Sequence, residues 1–342
     1  MTTCKEPVIL GIESSCDDTS AAVLCGTRLL STVIASQKVH ELWGGVVPEL
    51  ASRAHQQNIV PVVDAAIKQA NIRKEDVNAI AFTRGPGLMG SLLVGTSFAK
   101  SLSLALGIPL IEVNHMQGHI LANFVDDGSG APHPDFPFLC LTVSGGHTQI
   151  VRVDGYLDQT VLGSTIDDAA GEAFDKIGKM LSLPYPAGPH IDRLAKEGDR
   201  EAFRFSRPEA GGLDFSFSGL KTSVMYFLQK KEKEAPDFVK DHLTDLCASV
   251  QHTIISILVK KLLKAVRETG IREIAIAGGV SANSGLRTAL TETAREKDLI
   301  LHLPQLKFTT DNAAMIAVTG YFKYLEGQFT DVSAVATARY TL

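Results

Sequence analysis

Several large protein classes are excluded by what this sequence lacks. No stretch approaches the roughly 18 uninterrupted apolar residues of a membrane-spanning helix, so no membrane association is expected. The first residues, MTTCKEP, show no basic region leading into an apolar core, so neither a secretory signal nor a location outside the cytoplasm is expected. Cysteines are few and odd in number: Cys4, Cys16, Cys25, Cys140 and Cys247, with no CxxC spacing. They read as reduced, small apolar residues and not as a disulfide or zinc framework. Positive charge is not in excess either, because the formal net charge is −5. A chain that binds nucleic acid by bulk electrostatics is normally basic, so a polynucleotide would have to be held by a local patch or with a partner's help. Low-complexity tracts are absent, and 45% hydrophobic with 21% charged residues is ordinary globular composition. At 342 residues the chain exceeds what one core usually serves, which predicts two domains.

What is present is a repeated element. Residues 8–24 (VILGIESSCDDTSAAVL) are echoed at residues 138–153 (FLCLTVSGGHTQIVRV). Each copy is an apolar run, a small or polar turn and a second apolar run, the sequence form of a β-hairpin. Their turns, SSCDDT and SGGHT, suit backbone amides left free for a ligand. Two such hairpins, each opening one half of the chain, predict a duplicated domain with a phosphate held between the halves.

The remaining chain alternates strands and helices, which indicates α/β layering. Helices are predicted over 48–71 (with Pro61 inside), 88–106, 115–125, 169–181 and 311–325, with one or two over 237–269. Short strands are predicted at 79–83, 109–113, 273–277 and 299–303. The segment DDGSGAPHPDFP (126–137) is the clearest linker, and LPYPAGP (183–189) reads as a rigid loop. Domains are accordingly expected at 1–130 and 131–311. The second carries a helical insertion at 165–270, and residues 312–342 pack back on the first.

His115 and His119 sit four apart on one predicted helix, so their imidazoles share a face one turn apart, a common helical chelate for zinc or iron. The pair starts where a strand ends, the usual ligand edge of an open α/β sheet. Asp311 stands at a predicted helix start and could complete a two-histidine, one-carboxylate set. A metalloprotease of the HExxH type is disfavoured, because Met116 follows His115 where that motif needs its glutamate, and Gln117 cannot act as a base. Asp17 and Asp18 occupy the first hairpin turn, with Asp17 a candidate general base. Ser144, Gly145 and Gly146 could bring amides to a phosphate. The GGVSAN corner, after a strand and before a helix, could admit an adenosine, with Asn283 offering both donor and acceptor. Gly188 and Asp192 flank the rigid loop, and Arg84 and Lys221 are candidate phosphate contacts.

Ten blocks in order then carry a specific resemblance: GIESSCDDTS, ELASRAH, GPGLMGSLLVG, NHMQGH, VSGGHTQ, DDAAGEAFDK, YPAGP, FSFSGLKT, AGGVSANSGLR and TDNAAM. Over essentially its whole length the chain resembles the tRNA threonylcarbamoyladenosine transferases, TsaD-like members of the actin, sugar-kinase and Hsp70 (ASKHA) superfamily. The resemblance implies two related α/β domains around a central cleft. It implies transfer of threonylcarbamoyl from threonylcarbamoyl-AMP to N6 of the adenosine 3′ of the anticodon in tRNAs reading ANN codons, with release of AMP. His115, His119 and Asp311 match the metal-ligand positions, usually assigned to iron or zinc, and magnesium could accompany a bound nucleotide. Thr142, Val143, Ser144, Gly145, Gly146, Asp175, Gly188, Asp192 and Asn283 match ligand-binding positions, and Asp17 an acidic position implicated in catalysis.

Two departures stand out. The usual HMEGH is HMQGH here, so Gln117 replaces a carboxylate, and Thr309 stands where a cysteine often precedes the metal aspartate. The implied partners are tRNA, a TsaB-like inactive paralogue expected on the helices around 50–70 and 92–106, and a TsaE-like P-loop ATPase. Arg53, Lys176, Lys179 and Lys221 are candidate tRNA contacts. The alternative is an ATP-dependent small-molecule kinase of the same superfamily, which would not need the His115/His119/Asp311 set.

Overall fold

Strand β1 (Val8–Glu13) is apolar up to its final glutamate and buried at every position, as expected of a strand covered on both faces. In the computed structural model, which describes residues 4–37, 40 and 43–342, it centres the first of two five-stranded sheets. The chain turns through residues 14–18 into β2 (Thr19–Cys25), antiparallel to β1, and then into β3 (Arg28–Ala35). After α1 (Pro48–Gln69) come β4 (Ala79–Gly85), parallel to β1, then α2 (Met89–Leu106), β5 (Leu110–Asn114) and the short α3 (His115–Leu121). The sheet order is β3-β2-β1-β4-β5.

The second sheet repeats this plan. Strands β6 (Phe138–Val143), β7 (Thr148–Val153) and β8 (Gln159–Ser164) form the antiparallel part. Five helices follow: α4 (Ala170–Met180), α5 (Ala187–Ala195), α6 (Ser218–Glu234), α7 (Phe238–Asp241) and α8 (Leu243–Thr269). Then β9 (Glu273–Ala277) pairs parallel with β6, and after α9 (Ser284–Lys297) β10 (Ile300–His302) pairs parallel with β9. The order β10-β9-β6-β7-β8 is the same arrangement of an antiparallel meander and two added parallel strands.

Two compact units result. The first comprises Met1–His133, Gly155–Asp158 and Gln305–Leu342, and the second Pro134–Asp154 and Gln159–Pro304. The last helix, α10 (Ala313–Leu325), therefore belongs to the first unit. Its seat is made by glycine: a Cβ at Gly11 of β1 would collide with Ala313 and Ala317, and one at Gly320 with Ala81. In the second unit α8 is the core helix, burying Leu246, Val250, Ile254, Leu258 and Leu262 against the sheet and its helices.

Some local expectations need correction. Cys4 and Cys25 are joined as a disulfide, with Cα atoms 6.1 Å apart, so the five cysteines are not all free. The β1–β2 register, Val8 opposite Cys25, carries the chain just before β1 back to the end of β2. Met1–Thr3 lie outside the described residues. The rigid loop at 183–189 is shorter than expected, because α5 begins at Ala187. Pro189 sits in its first turn, where no intrahelical N–H is required, so Gly188 and Asp192 lie on a helix rather than beside a loop. Two helices, α2 and α8, do have the length and apolarity to cross a membrane, although no uninterrupted apolar run does. In α8 that apolar stretch is 72% buried within the protein, whereas in α2 it is 33% buried, leaving Met89, Leu93 and Leu104 exposed.

Candidate functional site

In the first unit the chemistry gathers at the ends of β1 and β5. Asn114 closes β5 and caps α3, its side-chain oxygen accepting the Met116 amide at 2.8 Å and the Gln117 amide at 3.3 Å. That cap places His115 and His119 one turn apart, both buried, with their rings in a T-shaped contact at 4.6 Å. Gly118 lets α3 approach α10, since a Cβ there would sit 3.1 Å from Ile316 and 3.3 Å from Met315. Asp311 lies just before α10, whose N-cap Asn312 accepts the Met315 amide. Its Oδ1 is 3.4 Å from His115 Nε2 and 3.3 Å from His119 Nε2.

This trio fits a metal ion. Ligand atoms bound tetrahedrally at 2.0–2.1 Å stand about 3.4 Å apart, the spacing both histidines keep from the Asp311 oxygen. All three ligating atoms lie within 4.8 Å of one another. Among the described residues, neither ring nitrogen of buried His119 makes a hydrogen bond, which leaves a donor atom without its usual satisfaction. Burial holds the His119 pKa below its ordinary value, so it is a neutral, ligand-ready imidazole.

Glu13 completes the arrangement, and the sequence reading did not single it out. Fully buried, it accepts hydrogen bonds from the Ser15 amide, from Thr83 Oγ1 at 2.6 Å and from His115 Nδ1 at 3.1 Å. A carboxylate on Nδ1 fixes the histidine tautomer and aims Nε2 at the metal position. Burial raises the Glu13 pKa, but the neighbouring His115 imidazolium reverses this and leaves it below its ordinary value. Burial lowers the His115 pKa, yet Asp311 and Glu13 together push it up to about 10 in the metal-free pocket. Asp311 is correspondingly held well below the usual carboxylate range: His115 and then His119 outweigh the effect of burial. The sequence signal for Glu13 was a lone charge ending an apolar strand.

The acidic turn is clamped from α1 and α2. Ser91 Oγ donates to the Cys16 carbonyl at 2.8 Å, and His55 Nε2 lies 3.0 Å from the same oxygen while its Nδ1 meets Thr19 Oγ1 at 2.7 Å. Asp17 and Asp18 are half-buried in this turn. Burial, reinforced by the charge of Asp17, pushes Asp18 up to about 6. Burial and the same carboxylate also push the Cys16 thiol up, so it is no thiolate nucleophile at neutral pH. Gln117 lies half-buried on α3, and buried Thr309 donates to the Leu306 carbonyl at 2.7 Å.

The second unit collects the other candidates. Thr142 and Val143 end β6 and are buried; Ser144 and His147 close the turn through the Ser144 amide to the His147 carbonyl at 2.8 Å. Gly145 and Gly146 are exposed, with open space where a Cβ would be, and among the described residues their amides make no hydrogen bond. Helix α4 starts against this turn, its Ala170 amide on Thr148 Oγ1 at 2.9 Å. Gly278, at φ +86°, turns the chain beside the Val143 backbone where a side chain would collide.

Capping then ties the helices together. Asp175 on α4 accepts the Ala187 amide at 2.8 Å, next to Gly188 in the first turn of α5. Asp192 on α5 accepts the Ser284 amide at 3.0 Å, Ser284 Oγ at 2.9 Å and the Gly285 amide at 3.3 Å. Asn283 caps α9 through Leu286 and donates to Gln251 Oε1 at 2.6 Å, so both ends of its amide already have protein partners. Gln251 was not anticipated. The other basic candidates are largely engaged: Arg53 pairs with Glu49, Arg84 with Glu112, Lys176 with Asp168 and Glu172, and Lys221 with Asp168.

Comparison with known proteins settles the family. The family model described as "TsaD: tRNA N6-adenosine threonylcarbamoyltransferase" matches residues 28–318. The chain belongs to this family. It is 62% identical to the tRNA N6-adenosine threonylcarbamoyltransferase of Christiangramia forsetii, over 97% of each chain. It is 60% identical to the protein of that name from Porphyromonas gingivalis, over 99% of each. The fold is of the ASKHA type, shared with HypF from T. kodakarensis (TM-score 0.63, 14% identity, 97% of this chain and 50% of that one). A full-length HypF structure gives a TM-score of 0.59 at 13% identity, covering 96% and 48%. TsaD family members bearing this name are acyltransferases, and the small-molecule kinase alternative is not favoured.

Proposed function

We propose that this chain transfers a threonylcarbamoyl group from threonylcarbamoyl-AMP to N6 of the adenosine 3′ of the anticodon in tRNAs reading ANN codons. Membership of the TsaD family supports this, and the observation that carries it at the site is the pair of buried histidines, His115 and His119, that meets half-buried Asp311 at metal-ligand spacing. The adenosine amine attacks the carbamoyl carbon, the bond from that carbon to the phosphate oxygen breaks, AMP leaves, and the amine loses a proton. Because the donor is already a mixed anhydride, the protein's task is mainly positioning and charge stabilisation.

His115, His119 and Asp311 would hold one divalent ion, iron or zinc, which when bound supplies Lewis-acid polarisation of a donor carbonyl. Glu13 keeps His115 in the tautomer that presents Nε2. Asp17 is assigned to accept or relay the amine proton, in a turn whose shape His55 and Ser91 maintain. The free amides of Gly145 and Gly146 are assigned to the AMP phosphate. Thr142, Val143 and Ser144 support that turn, and the corner ending at Asn283 is assigned to the adenosine. Asp175, Gly188 and Asp192 are assigned to the bound donor, and the bonds Asp175 and Asp192 make to the starts of α5 and α9 keep that wall in place.

A TsaB-like inactive paralogue is assigned to α1 and α2, which pack together and leave Val60, Met89, Leu93 and Leu104 exposed. A TsaE-like P-loop ATPase is the second proposed companion. The test supplies threonylcarbamoyl-AMP, unmodified tRNA and both companions, and detects the modified nucleoside by mass spectrometry. Product is expected with wild type and lost with His115→Ala/His119→Ala; no product from wild type refutes the proposal.

A further inference from the structure

Three adjoining surface cavities in the second unit, of about 390, 460 and 440 Å³, share two residues, Arg200 and His252. Arg204 and Arg207 line the first, Lys196 the second and Arg267 the third. All five cations are exposed, and among the described residues none is in an ion pair. Of the four residues the sequence suggested for RNA, Arg53, Lys176 and Lys221 spend their charge on nearby carboxylates, while Lys179, exposed on α4, is in no ion pair among the described residues. Negative charge along the cavities is sparse. Glu201 and Glu292 are the carboxylates lining them, and Lys260, also on the wall, is neutralised by Glu209.

A chain of net charge −5 that keeps five unpaired cations on one surface has concentrated its positive field there. His252 sits within the patch, with Arg207 3.4 Å from its Nε2; burial first, then Arg207 and Arg200, hold its pKa below the ordinary value against the opposing charge of Glu201. The patch is also long. From His252 to Arg267 along α8 is about 22 Å at 1.5 Å per residue. That length is far greater than one phosphate and comparable with several successive phosphates of a strand, whose charges recur every ~3.4 Å of duplex axis.

We propose that the surface of Lys196, Arg200, Arg204, Arg207 and Arg267 binds the phosphodiester backbone of the tRNA substrate. This rests on the transferase reading above and adds to it where the RNA lies on the second unit. Backbone contacts of this kind fix orientation and carry no sequence information, so the surface should hold different tRNAs alike.

The test uses the full-length chain and a fluorescently labelled tRNA transcript, titrated at several salt concentrations, alone and with the companion proteins. Arg200→Glu/Arg204→Glu/Arg207→Glu is expected to weaken binding at least about tenfold, and to flatten the slope of log affinity against log salt by about 0.7–0.9 per lost contact. The corresponding triple lysine variant should keep most of the affinity, because point charges suffice for phosphate. In reconstituted transfer the reversal should appear as a raised KM for tRNA. Wild-type-like tRNA binding by a reversal variant with an unchanged melting temperature overturns the proposal. So does failure of the wild type to bind tRNA in either condition, or a loss confined to anionic phospholipid vesicles or inorganic phosphate. If tRNA binding responds as expected but wild type makes no threonylcarbamoyl product, the transferase reading falls and the RNA surface stands.

Discussion

Replacing Glu13 by glutamine should change how metal affinity depends on pH, and the structure gives both the sign and the size. Glu13 accepts three hydrogen bonds as a buried carboxylate, one of them from His115 Nδ1. A glutamine of the same shape offers one acceptor oxygen and turns an NH2 group toward the remaining donors. Losing an outer-shell partner of this kind typically costs 10–100-fold in metal affinity, about 1.4–2.7 kcal/mol. A second effect opposes it. In the metal-free pocket Asp311 and Glu13 keep a proton on His115 up to about pH 10, and a metal ion must displace that proton. Wild-type affinity should therefore rise about tenfold per pH unit between roughly pH 7 and 9. In Glu13→Gln the proton is held less tightly, so its curve should be shallower, near wild type at pH 7 and increasingly weaker as pH rises. Competition for zinc with a chromophoric chelator measures both curves. Parallel curves, or equal affinities at pH 9 in a folded variant, would refute the orienting role of Glu13.

Other outcomes follow from the same contacts. Asp18 has its pKa raised to about 6, so its contribution to stability is greatest below its unfolded pKa near 4 and is lost as pH rises through 6. Asp18→Asn should accordingly raise the melting temperature at pH 7.5 and do little at pH 4, as differential scanning calorimetry can show. Asp192→Ala removes three bonds at the start of α9 and should cost about 1–2 kcal/mol by urea denaturation, within the range of lost helix caps. Gly118→Val would press α3 away from Met315 and Ile316; overpacking of this kind costs about 1–3 kcal/mol, and it should also weaken zinc binding by displacing both histidines.

Periodic and local features were the legible ones. The paired hairpins became β1–β2 and β6–β7, and the i,i+4 histidines at the end of β5 did meet Asp311. Strand alternation, helical spacing and turn residues act over a few positions and can be read in one dimension. Contacts made across the chain could not. Glu13 reaches Thr83 and His115, 70 and 102 residues away, and Asp192 caps a helix 92 residues on. The Cys4–Cys25 bond follows from the register of two strands, which spacing alone does not reveal. Charge was misjudged in the same way: an isolated lysine looks available in sequence, but Lys176 is neutralised by Asp168 eight positions earlier and by Glu172 on its own helix. Some of this was readable, since Arg53 and Glu49 are four apart on α1.

The central claim is an activated acyl transfer that depends on the His115/His119/Asp311 set. Its most direct measurement follows carbamoyl-labelled threonylcarbamoyl-AMP in the reconstituted system, quantifying labelled adenosine in tRNA and released AMP together. Wild type should yield them in a one-to-one ratio, and His115→Ala/His119→Ala should yield neither above background while still binding tRNA. Labelled tRNA formed equally well by the double variant, or AMP released by wild type with no label in the tRNA, would contradict the account.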